Sequence, residues 1–275
     1  MLISCMVQNK IVLITGASSG IGLVTAVQLA EQGYIVFASS RRGNSSVNLP
    51  NLHFVQADVN DKDQMKNVIE LIVKQYKKID VVICNAGNGI AGAIEDCSSD
   101  EIRFQMETNF YGVVNTIQQC LPYLREQKNG KILVISSLAA IFPIPYQAFY
   151  AASKAAVHIL TQALSIELKR FNIQVCSILP GDTKTNFTKA RSYAVQAQSP
   201  TSVYKEKMLA SVAKMEQDEQ NGMKPDNVAK TIVKQVMAKK MGKVIVPGIS
   251  NKILYGLAHI LPTKLLLVLL HKLYN

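Results

Sequence analysis

The stretch Ile11-Val12-Leu13-Ile14-Thr15-Gly16-Ala17-Ser18-Ser19-Gly20-Ile21-Gly22 decides the fold. Four apolar residues lead into three glycines, and then Leu23, Ala26, Val27 and Leu29 recur at helical spacing. The order is buried strand, tight turn, helix start. Gly16 permits the turn, Gly20 lets a pyrophosphate approach the backbone, and Gly22 lets the helix lie close to the sheet. Free N–H groups and the positive dipole end at the helix start then favour phosphate. Residues 16 and 18–22 are therefore a candidate dinucleotide cradle. The glycines fall as G-x-x-x-G-x-G, so the commoner G-x-G-x-x-G fingerprint is met only loosely, and a purely structural turn is the competing reading.

Working outward, short apolar runs recur with helix-length amphipathic segments between them: Ile11–Ile14, Ile35–Ala38, His53–Gln56, Val81–Cys84, Ile132–Ile135, Val175–Leu179 and Val244–Val246. Val and Ile without polar alternation suit strands covered on both faces. The expected fold is a doubly wound α/β sandwich, a parallel seven-stranded (Rossmann) sheet between two helical layers. Asn60 with Asp63 reads as a capping pair for a helix over 61–78, and Gly33 ends the helix begun near Gly20. Residues 1–248 are expected to form a single catalytic domain. Within it, 183–222, rich in Ala, Gln, Ser and Lys, is a candidate substrate lid.

With 275 residues, 48% hydrophobic residues and no Trp, the composition excludes a disordered chain, a collagen and a disulfide scaffold. Cys5, Cys84, Cys97, Cys120 and Cys176 are odd in number and nowhere spaced C-x-x-C, which argues for a reducing cytoplasm. Cys120 and Cys176 read as small buried hydrophobes. His53, His158, His259 and His271 form no ligand cluster, so no metal is implied, and His158 reads as packed. The Met1-to-Cys5 segment lacks the basic leader and apolar stretch of a cleaved signal; it reads as a short lead-in, with Met6 an alternative start.

The net charge of +11 is uneven. Residues 227–275 carry Lys230, Lys234, Lys239, Lys240, Lys243, Lys252, Lys264 and Lys272 and no acid. Between them stand Leu, Ile and Val rather than stacking aromatics, so nucleic acid is set aside. Pro262 and Lys264 divide the apolar segments of 249–275, leaving neither near the ~20 residues a spanning helix needs. Ile253, Leu254, Leu257, Ile260 and Leu261 share one helical face. Such a face must be covered, foremost by the domain or a partner subunit, and otherwise by an anionic membrane surface.

Cofactor choice is read at the end of the second strand, where an acid would bind the ribose hydroxyls of NAD. No acid lies between Glu31 and Asp58. The strand ends Ser39-Ser40-Arg41-Arg42, and a guanidinium at Arg41 beside Ser40 suits a ribose 2′-phosphate through paired charge-assisted hydrogen bonds. NADP(H) is preferred; solvated loop charges are the alternative.

Tyr150 and Lys154 stand one helical turn apart. In a chain with 10 Tyr, chance alone supplies about one such pair, so context decides. The fifth strand ends in Ser136-Ser137, where open α/β sheets bind ligands, and Tyr150 follows Ser137 by thirteen residues. Strand alternation favours Ser137 over Ser136. At this point the sequence resembles the short-chain dehydrogenase/reductase family over about 8–190 and 225–246. The resemblance rests on Thr15-Gly16-x-x-x-Gly20-x-Gly22, Asp58-Val59, Asn85-Ala86-Gly87, Asn109, Ser137, Tyr150-x-x-x-Lys154 and Pro180-Gly181-x-x-x-Thr185. It is nearest the hydroxysteroid and retinol dehydrogenase branch. Cys84 stands where the family usually has Asn, and Thr183 where it often has Val or Ile.

The resemblance implies cofactor contacts at Asp58, Val59, Asn85, Ala86, Gly87, Pro180, Gly181, Thr183 and Thr185 as well as at Tyr150 and Lys154. It also implies a catalytic set of Asn109, Ser137, Tyr150 and Lys154. Tyr150 would exchange a proton with the substrate oxygen, Ser137 would polarise it, and Asn109 would anchor a water relay to Lys154. Using the phenol as a base near neutrality needs about three pKa units of lowering, expected from the Lys154 ammonium and a positive nicotinamide. The expected activity is NADP(H)-dependent interconversion of a ketone or aldehyde and an alcohol on an apolar steroid-, retinoid- or lipid-like substrate. Ile141, Phe142, Ile144 and Phe149 lie beside the reacting residues in sequence. A homodimer or homotetramer through 101–126 and 147–170 is implied. The competing classes are a non-catalytic NADP(H)-sensing module and a membrane-surface docking module.

Overall fold

The computed structural model describes residues 10–274, so the expectations for Met1 to Cys5 and Met6 lie outside the described residues. Its centre is β1 (Ile11–Thr15), buried at every position. The chain continues through α1 (Gly20–Glu31), β2 (Ile35–Ser40), β3 (Leu52–Gln56), α2 (Lys62–Tyr76), β4 (Val81–Cys84), β5 (Ile90–Ala91) and α3 (Ser99–Met106). Then follow α4 (Gly112–Glu126), β6 (Gly130–Ile135), α5 (Ala148–Glu167), β7 (Ile173–Ile178), α6 (Phe187–Ala190) and β8 (Ser192–Tyr193). Last come α7 (Lys205–Asn221), α8 (Pro225–Met237), β9 (Val244–Ile245), α9 (Ile249–Ile260) and α10 (Thr263–Tyr274).

Seven strands form one parallel sheet in the order β3-β2-β1-β4-β6-β7-β9. Alternate residues of one strand feed opposite layers. Ile11 and Leu13 pack with Met65, Ile69, Ile117 and Val157 of α2, α4 and α5. Val12 and Ile14 pack with Ala26, Leu29, Val228 and Ile232 of α1 and α8. This is the doubly wound sandwich that two-sided apolar runs require. The chain reverses direction across the sheet between β1 and β4, the position where open α/β sheets bind ligands.

Three details differ from the sequence reading. Helix α2 is capped by Asp61, whose carboxylate accepts from the Asp63 and Gln64 amides at 3.0 Å, and not by Asn60 with Asp63. Two short strands, β5 and β8, pair outside the main sheet. They carry a second core in which Ile90, Ala91, Ala194, Ala197, Met208 and Val212 are buried together, so the 183–222 segment packs on β5 through a small interior shared with it. Its ends meet where Thr183 bridges Met223, with the Lys184 amide donating to the Met223 carbonyl and the Met223 amide to the Asp182 carbonyl, both at 2.9 Å.

The third correction concerns the tail. The face of Ile253, Leu254, Leu257 and Ile260 does not pack on the domain; these residues are exposed. The domain takes the other side of α9, through Tyr255, which packs with Leu138, Leu179 and Val246. Among the described residues no helix is long and apolar enough to cross a membrane.

Candidate active site

The glycine turn is built before any ligand arrives. Thr15, buried at the end of β1, accepts the amides of Asn85 and Ala86 on its hydroxyl at 3.0 and 3.2 Å. The Asn85 side chain then donates to the carbonyls of Thr15 and Gly16, each at 3.0 Å. Two loops from neighbouring strands are thus tied edge to edge. Gly16 has φ +65°, and a Cβ there would come within 2.6 Å of the Ala86 Cα. Gly22 lies so close to the turn that a Cβ would meet Asn85 Nδ2 at 2.4 Å. Gly16→Ala is therefore expected to lower stability by about 1–3 kcal/mol for the backbone alone, plus the overlap. Gly33→Ala, at φ +87° with nothing within 4 Å, is expected to cost less. Urea midpoints compare the two directly.

These residues fit a dinucleotide pyrophosphate. Ser19 sits at the N-cap of α1 but makes no side-chain cap hydrogen bond, which leaves the first-turn N–H groups for a ligand. Ser18 and Ile21 flank this opening in sequence. Thr185 forms the opposite wall, 3.4 Å from where a Gly20 Cβ would stand. At the far end of the cleft, Ser40 is buried and accepts the Gly43 amide, while Arg41 is exposed. Gln56 donates to the Arg41 carbonyl at 3.1 Å, fixing the backbone and leaving the guanidinium unengaged by that contact. Asp58 accepts the Asn60 amide at 3.0 Å, and Val59 packs where a Gly112 Cβ would fall.

The side chains expected to react converge at the C-terminal end of β6. Ser137, whose hydroxyl accepts the Ala139 amide at 3.1 Å, stands near enough to the Tyr150 phenol to lower its pKa, and Lys154 Nζ lies 5.8 Å from the Tyr150 ring centre. Ser136 faces the other way: its hydroxyl donates to the Lys154 carbonyl at 2.8 Å and fastens α5 to the strand. Lys154 is buried, with Nζ donating to the Ile135 carbonyl at 3.0 Å. Gly87 lies against both Lys154 Nζ and Asn109 Oδ1, each 3.3 Å from a Cβ placed there, so the Asn85-Ala86-Gly87 loop touches two of the four candidate catalytic residues.

Asn109 reaches the site because the helix is locally unwound. Between α3 and α4 the backbone makes a π turn over Glu107–Tyr111, and Asn109 at its centre is fully buried. Such turns occur frequently at functional sites. Asn109 accepts the Asn88 amide at 2.9 Å and donates to the Asn88 carbonyl and the Ser153 hydroxyl, both at 3.0 Å.

Sequence reasoning missed several members. Gln105, fully buried, donates to both the carbonyl and the side chain of Asn88 and accepts the Ile90 amide at 2.8 Å. Its signal was spacing, since an amide four residues before Asn109 faces the same way. Phe187 had no such signal: its ring centre lies 5.5 Å from that of Tyr150, and it rests against Gly89. Behind it Arg191, buried, pairs with Glu216 at 3.3 Å and with Glu219, which also accepts the Thr188 hydroxyl at 2.6 Å.

The loop after β7 is shaped by close contacts. The Leu138 amide donates to the Pro180 carbonyl at 2.9 Å, and a Cβ on Gly181 would meet Asn251 of α9 at 2.6 Å. The Thr183–Met223 bridge uses the carbonyl of Asp182 and the amide of Lys184, not those of Thr183.

The protein's own groups do not bring the phenol toward neutrality. Burial pushes Tyr150 up to about 12, only partly offset by the Ser137 hydrogen bond. Burial also lowers Lys154 to about 8. The resting site thus holds a protonated phenol beside an amine that titrates just above neutrality. Burial raises Cys84 and Cys176 to about 12, so both are inert thiols. His158 is packed, with Nδ1 at 2.9 Å from the Ser177 hydroxyl. No group of His, Cys, Asp and Glu among the described residues could hold a metal.

Comparison with known proteins agrees with this cleft. The family model described as short chain dehydrogenase matches residues 10–196. The 3-ketodihydrosphingosine reductase of Bacteroides thetaiotaomicron is 41% identical over 232 residues, 84% of this chain and 85% of that protein. The short-chain type dehydrogenase/reductase VdlC of Helicobacter pylori is 35% identical over 252 residues, 91% and 92% of the two. A short-chain dehydrogenase from Streptomyces avermitilis superposes with a TM-score of 0.81 at 25% identity, covering 92% of each chain. Because the family model spans more than half of the sequence and these relatives run nearly its full length, the chain belongs to the short-chain dehydrogenase family of NAD(P)(H) oxidoreductases.

Proposed function

We propose that the protein is an NADP(H)-dependent reductase of an apolar ketone, with a long-chain sphingoid ketone as the leading candidate. The observation that carries the reaction is the convergence of the Tyr150 phenol, Ser137 and the buried Lys154 amine at the end of β6. Hydride chemistry is the cofactor's. Ser137 holds the carbonyl oxygen, and the Tyr150 hydroxyl gives its proton to that oxygen as the carbon is reduced. Lys154, with a water held at Asn109, returns a proton to the phenolate. A phenol kept protonated by burial supports the reducing direction.

Arg41, exposed at the end of β2 with no acid between Glu31 and Asp58, supports NADP(H) over NAD(H). The named activity of the Bacteroides relative supports the sphingoid class. So do Ile141 and Phe142, which pack beside Leu138 next to Ser137. The 183–222 segment, with Phe187 against Tyr150, serves as the lid. A non-catalytic sensor would have no use for the proton-delivery set. Exposed Phe104, Tyr111, Ile159 and Ile166 on the 101–126 and 147–170 helices support a homodimer or homotetramer in the cytoplasm.

NADPH consumption measured on a panel of 3-ketodihydrosphingosine, retinal and steroid ketones tests the substrate. The sphingoid ketone is expected to give the highest kcat/KM, and a preference for small polar carbonyls would overturn the assignment. The pH profile tests the relay. Since burial lowers Lys154, it is charged below about 8 and neutral above. Reduction is therefore expected to slow as pH rises through that value, while Tyr150 stays protonated. A profile flat through that pH would remove Lys154 from the relay.

A further inference from the structure

The two C-terminal helices present an apolar surface that the domain does not use. In α9 the inward residues are Asn251, Tyr255 and Ala258, all half-buried, while Ile249 and Ile260 are each 79% exposed and Ile253, Leu254 and Leu257 stand outward beside them. In α10, Leu266, Leu270 and Tyr274 are half-buried, and Leu265, Leu267, Val268, Leu269 and Leu273 are exposed. Ten large apolar side chains in 25 residues exceed the scattered exposure of an ordinary surface. Lys252, Lys264 and Lys272 are exposed on the same helices, and no acid occurs from residue 227 onward.

Charge decides between occupants. A second copy of the same face would set lysines against lysines with no acid to pair them. Each helix has 12 residues, about 18 Å, well short of the ~30 Å hydrocarbon core. We propose that α9 and α10 dock this face on an anionic lipid bilayer, lying in its surface with the lysines at the headgroups and the leucines in the acyl boundary.

The face is continuous with the active-site rim. On its inner side Tyr255 shares a cluster with Ile141 and Phe142, which follow Ser137 in the chain. At the other end Lys214 of α7 donates to the Leu273 carbonyl, and Tyr274 stands near Asp182, Asp218 and Glu219 of the lid region. An apolar molecule leaving the bilayer there would emerge beside the cleft.

Flotation of the full chain with vesicles tests the proposal. The protein is expected to float with phosphatidylcholine vesicles containing phosphatidylglycerol, to stay down with phosphatidylcholine alone, and to be released by high salt. Leu254→Asp with Leu257→Asp, and separately Lys252→Glu with Lys264→Glu, should each lower the bound fraction at least tenfold, with turnover of a water-soluble ketone unchanged. Absence of flotation would overturn the proposal, as would binding that ignores lipid charge and the lysine changes. A shift from oligomer to monomer in the leucine variant would instead make the face a subunit contact. The readout needs no turnover, so failure here leaves the proposed reaction standing.

Discussion

Tyr150→Phe is expected to reduce carbonyl turnover by about 10²- to 10⁴-fold, the range a positioned general acid contributes, while NADPH affinity stays within a few-fold. The ring should hold its place, since it is set by α5 and by Phe187 at 5.5 Å. What disappears is the single hydroxyl that meets Ser137. Ser137 can still polarise an oxygen but has no proton in flight to give it, and Lys154 Nζ is turned to the Ile135 carbonyl. The fold should lose only about 1 kcal/mol for one neutral hydrogen bond. Stopped-flow NADPH consumption with parallel cofactor titration separates the two effects. Unchanged turnover would remove the mechanism.

Arg41→Asp carries the second large effect. Two charge-assisted hydrogen bonds to a 2′-phosphate are worth about 1.5–3 kcal/mol each, and the aspartate adds repulsion, so NADPH affinity is expected to fall by at least about a hundredfold. NADH has no phosphate to lose and should bind as before or better, because the new carboxylate accepts from ribose hydroxyls. Fluorescence titration with both cofactors gives the ratio directly. An equal loss for the two would mean that the 2′-phosphate is read elsewhere.

The sheet was legible because its signal is local. Val12 and Leu13 face opposite layers yet are both apolar, and only a strand covered on two sides demands that. The glycine turn was legible for a similar reason, since the requirement at Gly16 is written in its own backbone. The tail's apolar face was legible too, but its destination was not. Periodicity gives the stripe of Ile253, Leu254 and Leu257 and says nothing of what lies opposite, and Tyr255 made the better partner for Leu138 and Leu179.

Other features depend on contacts between distant segments. The cap of α2 was placed one residue early because Asn60 and Asp61 are both competent acceptors; Asn60 instead turns its amide to Thr108. The π turn that sinks Asn109 has no composition signature, and the Asn85 clamp on Thr15 and Gly16 joins loops some 70 residues apart in sequence. The height of the Tyr150 pKa was not legible, because burial, which no sequence spacing reports, is its largest cause.

The 183–222 segment is tied together at its ends by Thr183 and Met223, and it packs Met208 and Val212 against Ile90 and Ala91 of β5. Beyond that tie, β8 pairs with β5, Ser202 donates to Asp96 and Phe187 rests on Tyr150, so the segment is fastened to the scaffold along its length. A foreign insert grafted between those two positions should therefore change which molecule is reduced and, because it replaces Thr185 opposite Gly20, also how tightly the nucleotide is held. Selection acting on one of these properties then moves the other with it.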